Sequence, residues 1–122
     1  MAMGVRRLLW CALTLAAAGA AHAQATPSDP LPPLSQGPFT SEMVEKGKAQ
    51  FHRTCSHCHG LNMVNSGTTV YDLRKFPVDQ PERFLNSVTN GKGNMPSFKG
   101  ALEPGAIQFL WSYVATRGGK EM

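Results

Sequence analysis

The run Cys55-Ser56-His57-Cys58-His59 sets two thiols three positions apart, with an imidazole directly after the second. Thiols at this spacing can add to the two vinyl groups on one edge of a haem, and His59 is then held where it can ligate the iron. Thioether bonds make such a cofactor non-dissociable, which suits an exported protein that cannot be resupplied. Three other chemistries compete for the same thiols. A disulfide redox motif has no need of His59 and sits in a strand–helix context that this sequence lacks. A zinc site needs more ligands, and no second Cys/His cluster exists. A structural disulfide at this spacing is strained. One covalent haem c is the expected cofactor.

Haem iron has a second axial position. After the proximal His59, the candidates are His52, His57, Met43, Met63, Met95 and Met122. His57 lies inside the attachment loop and faces away from the iron. His52 precedes Cys55 by about one turn and is on the wrong side to span a porphyrin. Met63 follows His59 too closely and reads as packing, Met43 falls on an apolar helix face, and Met122 is terminal. Met95 differs, because Gly91-Lys92-Gly93-Asn94-Met95-Pro96 is a Gly/Asn/Pro loop able to return the chain over the far face. Most lone methionines are core fillers, but the position of this one makes Met95 the expected distal ligand. A soft thioether opposite histidine raises the reduction potential. With both positions filled, no site is left for substrate or oxygen.

Three helices are needed to position these groups. The first starts after Thr40-Ser41 and carries Met43, Val44, Ala49 and Phe51 up to Cys55. A second is expected from Asp79, with Glu82 as capping-box partner and Pro81 in the first turn, through Phe84, Leu85 and Val88 to Asn90-Gly91. The last opens near Pro104, runs through Ile107, Leu110, Trp111 and Val114, and stops at Gly118-Gly119. No alternating stretch is long enough for a sheet. The class is all-α, and a domain this small needs a staple, which an attached haem provides.

Residues 1–23 read as a cleaved export signal: Arg6 and Arg7, an apolar run from Leu8 to Ala18, then Ala21-His22-Ala23. That run is too short to span a bilayer, which needs about 20 apolar residues. Its removal takes Cys11 with it, leaving Cys55 and Cys58 as the only cysteines of an exported chain. It also leaves ten basic side chains against eight acidic, a net charge of +2 that gives no support for nucleic-acid binding. Residues 24–38, with five prolines, form an expected flexible, solvated lead; 39–118 the folded domain; and 119–122 a tail.

These residues resemble the class I c-type cytochromes. Val44-Glu45-Lys46-Gly47-Lys48, Phe51 and Cys55 to His59 are similar to that family's first helix and haem site. Met95-Pro96 resembles its distal loop, and Leu110 to Val114 its last helix. The resemblance implies three to four short helices wrapped round one haem, with the terminal helices crossing. Gly47 would allow close approach, and Phe51 would pack on Leu110 and Tyr113. The family's Gly-Pro, whose proline carbonyl holds the proximal histidine, is replaced here by Gly67-Thr68. Arg74 and Lys75 are either propionate partners or a solvated basic pair; Asn94 or Tyr71 would hydrogen-bond near the haem.

The expected function is that of a monomeric periplasmic electron carrier, without enzymatic activity and without stable membrane insertion after signal cleavage. It would receive electrons from a donor dehydrogenase, a quinoprotein alcohol dehydrogenase among the candidates, and pass them to an oxidase or another cytochrome. Lys46, Lys92 and Lys99 are candidate docking charges. The competing readings are a haem subunit of a larger dehydrogenase complex, and an open-site haem enzyme or gas-binding protein.

Overall fold

The computed structural model describes residues 31–65, 69–103 and 105–122. The expected signal peptide with Cys11, the first prolines of the lead, Gly67-Thr68 and Pro104 lie outside these residues. Among the described residues there are four α-helices and no strands: α1 (Ser41–Thr54), α2 (Ser56–His59), α3 (Pro81–Asn90) and α4 (Ala106–Ala115). Two short 3-10 turns, Leu61–Met63 and Leu73–Lys75, fill the connection between α2 and α3. None of these helices is long and apolar enough to cross a membrane.

Local chemistry accounts for most of the helix ends. The Thr40 hydroxyl accepts from the Met43 backbone N–H at 3.2 Å, so α1 starts where the sequence suggested. Its buried stripe is Val44, Gly47 and Phe51, whereas Ala49 is exposed, contrary to expectation. The start of α3 also differs. It begins at Pro81 behind Gln80, with no side-chain cap, so the expected Asp79–Glu82 capping box does not form. Pro81 serves as the first helical residue because its missing N–H would have been unpaired there anyway. At the other end of the chain, α4 ends at Ala115, and its left-handed closing residue comes one position before the glycines. Arg117 takes the left-handed position (φ 53°), Gly118 N–H donates to Tyr113 O at 2.8 Å, and Arg117 N–H to Val114 O at 3.1 Å.

Packing is organised around α4, of which Leu110, Trp111, Tyr113 and Val114 are almost entirely buried. One side meets α1. A Cβ on Gly47 would lie 2.0 Å from the Phe109 carbonyl oxygen, so only glycine lets the two helices cross this closely. The rings of Phe51 and Tyr113 sit 5.3 Å apart at that crossing, and Leu110 belongs to the same apolar cluster. The other side meets α3, where Trp111 lies 5.2 Å from Phe84 and 6.0 Å from Phe76.

The lead is less solvated than its composition suggested. Leu34 is buried in the core cluster, and the Ser35 backbone exchanges hydrogen bonds with the Gln108 amide, Ser35 N donating to Oε1 at 2.7 Å. One leucine beside a polar pair is enough to dock the lead at Leu34 and Ser35, although the rest of residues 31–38 is exposed.

Burial, and secondarily the carboxylate of Glu45, raises the Tyr113 phenol pKa above its usual value near 10. The folded state therefore holds that proton more tightly than the unfolded chain. The resulting stability is complete below pH ~10 and is lost as pH rises through the folded-state pKa. Urea denaturation between pH 9 and 12 should show a downward slope that is shallower in Tyr113→Phe.

Candidate functional site

The backbone around Cys55 is continuous helix with one kink. Cys55 closes α1, its N–H donating to Phe51 O at 2.8 Å, and opens α2, which carries Cys58 and His59. Ser56 Oγ donates to His52 O at 2.6 Å and ties the two turns together. Gly60 ends α2 at φ 76°, where a Cβ would fall 1.8 Å from the Val64 carbonyl oxygen. This glycine reverses the chain and starts it toward the segment that orients His59.

His59 Nδ1 lies 3.2 Å from the Tyr71 backbone carbonyl. A carbonyl can only accept, so Nδ1 carries the proton and Nε2 is left with its lone pair free. Burial lowers the imidazole pKa, and the bond to Tyr71 offsets part of that effect. A neutral ring is the form a metal requires. The sequence left the orienting carbonyl open, with Gly67-Thr68 standing where the family has Gly-Pro; the carbonyl on His59 Nδ1 is that of Tyr71. Tyr71 is in turn fixed by its hydroxyl, which donates to Lys75 O at 3.1 Å, and by an edge contact with Phe76.

Met95 sits in a tight turn in which Lys92 and Met95 exchange both backbone hydrogen bonds at 3.0 Å. Three contacts fasten this turn to the end of α3. Ser97 Oγ donates to Thr89 O at 2.5 Å, Phe98 N–H donates to Val88 O at 3.0 Å, and Gly91 packs under Met95. A Cβ at Gly91 would lie 2.6 Å from Met95 O, and its φ of 77° is itself a glycine conformation. Gly91 was legible only as a helix stop, and Ser97 carried no sequence signal at all.

Cys55 and Met95 are both half-buried against the same core cluster, beside the partly covered Leu73, Leu85, Phe98 and Leu102. Cys58 is exposed. Burial, and then the neighbouring Cys58, push the Cys55 thiol up to about 11, so it stays a neutral thiol at neutral pH. Two thiols, an imidazole with Nε2 free, a thioether and a half-covered apolar rim fit a porphyrin attached by one edge. The other candidates are placed elsewhere. Met63 is 2 % exposed in the core, as its reading as packing implied, and His57 is exposed. The Nε2 of His52 is buried without a hydrogen-bond partner, its ring edge-on to Tyr113. Arg74 makes a two-pronged pair with Asp72, at 2.9 Å on each prong. Lys46 pairs with Glu42 and lies over the Phe109 ring, whereas Lys92 and Lys99 stand exposed on the Met95 loop.

A profile of the family described as cytochrome c oxidase, cbb3-type, subunit III matches residues 42–114, about three fifths of the chain. Cytochrome c6 of a Nostoc species is 39% identical over 72 residues, covering 56% of this chain and 65% of that protein. Cytochrome c6 of Microcystis aeruginosa is 36% identical over 78 residues, covering 61% and 96%. The quinohemoprotein alcohol dehydrogenase ADH-IIG of Pseudomonas putida is 32% identical over 93 residues, 75% of this chain but 12% of the enzyme. With the helical fold and the Cys-x-x-Cys-His turn, these matches make the chain a member of the cytochrome c family: a small class I c-type cytochrome that carries one covalent haem c and transfers electrons.

Proposed function

We propose that this protein is a one-electron carrier of the periplasm, exported by residues 1–23 and folded over 39–118, with Cys55 and Cys58 as the thioether residues. His59 and Met95 are the axial ligands. The observation that carries this reading is the His59–Tyr71 bond, which fixes the proximal tautomer and leaves Nε2 for iron. A haem bound there supplies a ferric/ferrous couple. The protein's share is to hold both axial donors, so that little rearranges when the charge changes, and to keep the surrounding rim apolar. Carbon monoxide added to the reduced holoprotein at neutral pH tests the reading. No spectral change is expected with both axial positions filled, whereas stoichiometric binding would favour an open-site haem enzyme or gas-binding protein.

The donor in this proposal is a quinoprotein alcohol dehydrogenase. Support comes from the match to an alcohol dehydrogenase that spans three quarters of this chain. The same match favours a second reading, a haem subunit of a larger dehydrogenase complex. Size analysis of the native protein separates the two: a free carrier elutes as a monomer of this chain.

Gly91→Ala is expected to reduce the thioether-to-ferric charge-transfer band, because the added methyl meets the Met95 carbonyl and the backbone leaves a glycine conformation. The visible spectrum of the oxidised holoprotein at neutral pH reads the effect directly; Gly93→Ala, which shares a left-handed backbone (φ 58°) but has open space around its Cβ, should lose less of the band.

A further inference from the structure

One cavity, of about 590 Å³, is lined by none of the four haem-site residues. It lies between α1, the 3-10 turn after α2, Arg74 and the C-terminal end of the chain. Four cations border it, Lys48, Arg74, Arg117 and Lys120, against one carboxylate, Glu121. Among the described residues Lys48 and Lys120 have no ion-pair partner. Arg74 is held by Asp72, while the Arg117–Glu121 pair is long, at 4.0 Å. Glu121 is two-thirds exposed and free to swing out, whereas the Arg117 side chain is 21 % exposed and held in place.

A second observation concerns the backbone. Three non-glycine residues among those described have left-handed φ, namely Asn62 (56°), Met63 (63°) and Arg117 (53°), and all three line this cavity. Strained backbone tends to gather where a ligand is clamped. A concave space of this size holds a small ligand, and like charges crowded round it repel one another unless an anion intervenes.

We propose that this cavity binds a small polyvalent phosphate-bearing anion, held by Lys48, Arg117 and Lys120 with Arg74 at the rim. Phosphate oxygens accept both the fork of arginine and the point charges of lysine, and a multiply charged group answers several cations at once. The site is independent of haem ligation.

The probe is sodium pyrophosphate, titrated into 15N-labelled holoprotein with ionic strength held constant by sodium chloride. Saturable shifts confined to the amides of Lys48, Asn62, Arg117 and Lys120 are expected. The double variant Lys48→Glu/Lys120→Glu should weaken binding about tenfold or more, as losing charge-assisted contacts implies, whereas Arg53→Glu, exposed on α1 and outside the cavity, should change it less than twofold. Arg53 and Lys120 are exposed and Lys48 is half-buried, and an unchanged haem spectrum verifies folding of each variant. Shifts that never saturate, or that spread over every lysine-bearing surface, would overturn the proposal, as would equal weakening by Arg53→Glu. Vesicles of phosphatidylglycerol form the second arm. Cosedimentation that pyrophosphate cannot displace would make the site a lipid contact and overturn the small-anion assignment.

Discussion

Met95→Ala is expected to abolish the thioether-to-ferric charge-transfer band, open the ferrous protein to carbon monoxide, and lower the reduction potential by roughly 0.2 V. The size follows from axial ligation, which with its surroundings moves haem potentials across about 0.8 V. A thioether favours the ferrous state, and water or an empty position does not. The fold should survive, because Met95 is only half-buried and the loop carrying it is anchored by the Ser97 hydroxyl and the backbone of Gly91 and Phe98. Met63→Leu is the matching control. Met63 is buried in the core, so its replacement should lower thermal stability slightly and leave the spectrum and potential unchanged. A wild-type spectrum with the charge-transfer band retained in Met95→Ala would remove Met95 from the iron.

Gly47→Ala should destabilise the protein by about 2–3 kcal/mol, even though alanine is the better helix former by about 1 kcal/mol. The clash decides the sign. The new methyl would meet the Phe109 carbonyl oxygen at 2.0 Å and the Tyr113 Cβ at 2.8 Å. A backbone oxygen cannot rotate away, so α1 and α4 must separate and loosen the Phe51–Tyr113 contact. In a domain of this size such a loss lowers Tm by on the order of 10 °C, and thermal unfolding of the holoprotein followed by circular dichroism measures it. A variant as stable as wild type would mean that the helices do not approach this closely.

The contrast between these two sites shows how differently sequence information is distributed. Cys55, Cys58 and His59 form a contiguous motif, so their joint chemistry is legible without a fold. Met95 could be singled out because its loop composition differs from that around every other methionine. Gly47 stood out as a costly residue inside a helix, which demanded a tertiary reason. Tyr71 was named only as an alternative to Asn94 for a hydrogen bond near the haem, since the group it contributes to His59 is a backbone carbonyl, common to every residue. Only the path of the chain through the two 3-10 turns brings that carbonyl to His59.

Errors in the sequence reading share a cause. The expected capping box at Asp79 and Glu82 follows local preference, but α3 starts at Pro81, whose preset helical φ puts the N-cap position at Gln80, one residue past Asp79. Ala49 matched the apolar period of α1, yet the helix needs just Val44, Gly47 and Phe51 to face α4. The lead looked too rich in proline to pack, and a single leucine with one polar clamp nevertheless docks it at Leu34 and Ser35.

The sequence by itself determined the covalent chemistry, the helical class and the candidate iron donors, because each rests on residue types at short range. Tertiary structure alone decided which carbonyl orients His59, how Gly91 and Ser97 hold the Met95 turn, and that four cations surround one cavity. Those relations depend on the path of the backbone and not on residue type: turns bring Tyr71 to His59 and Ser97 to Thr89, and the C-terminal end of the chain returns beside α1 to close the cavity.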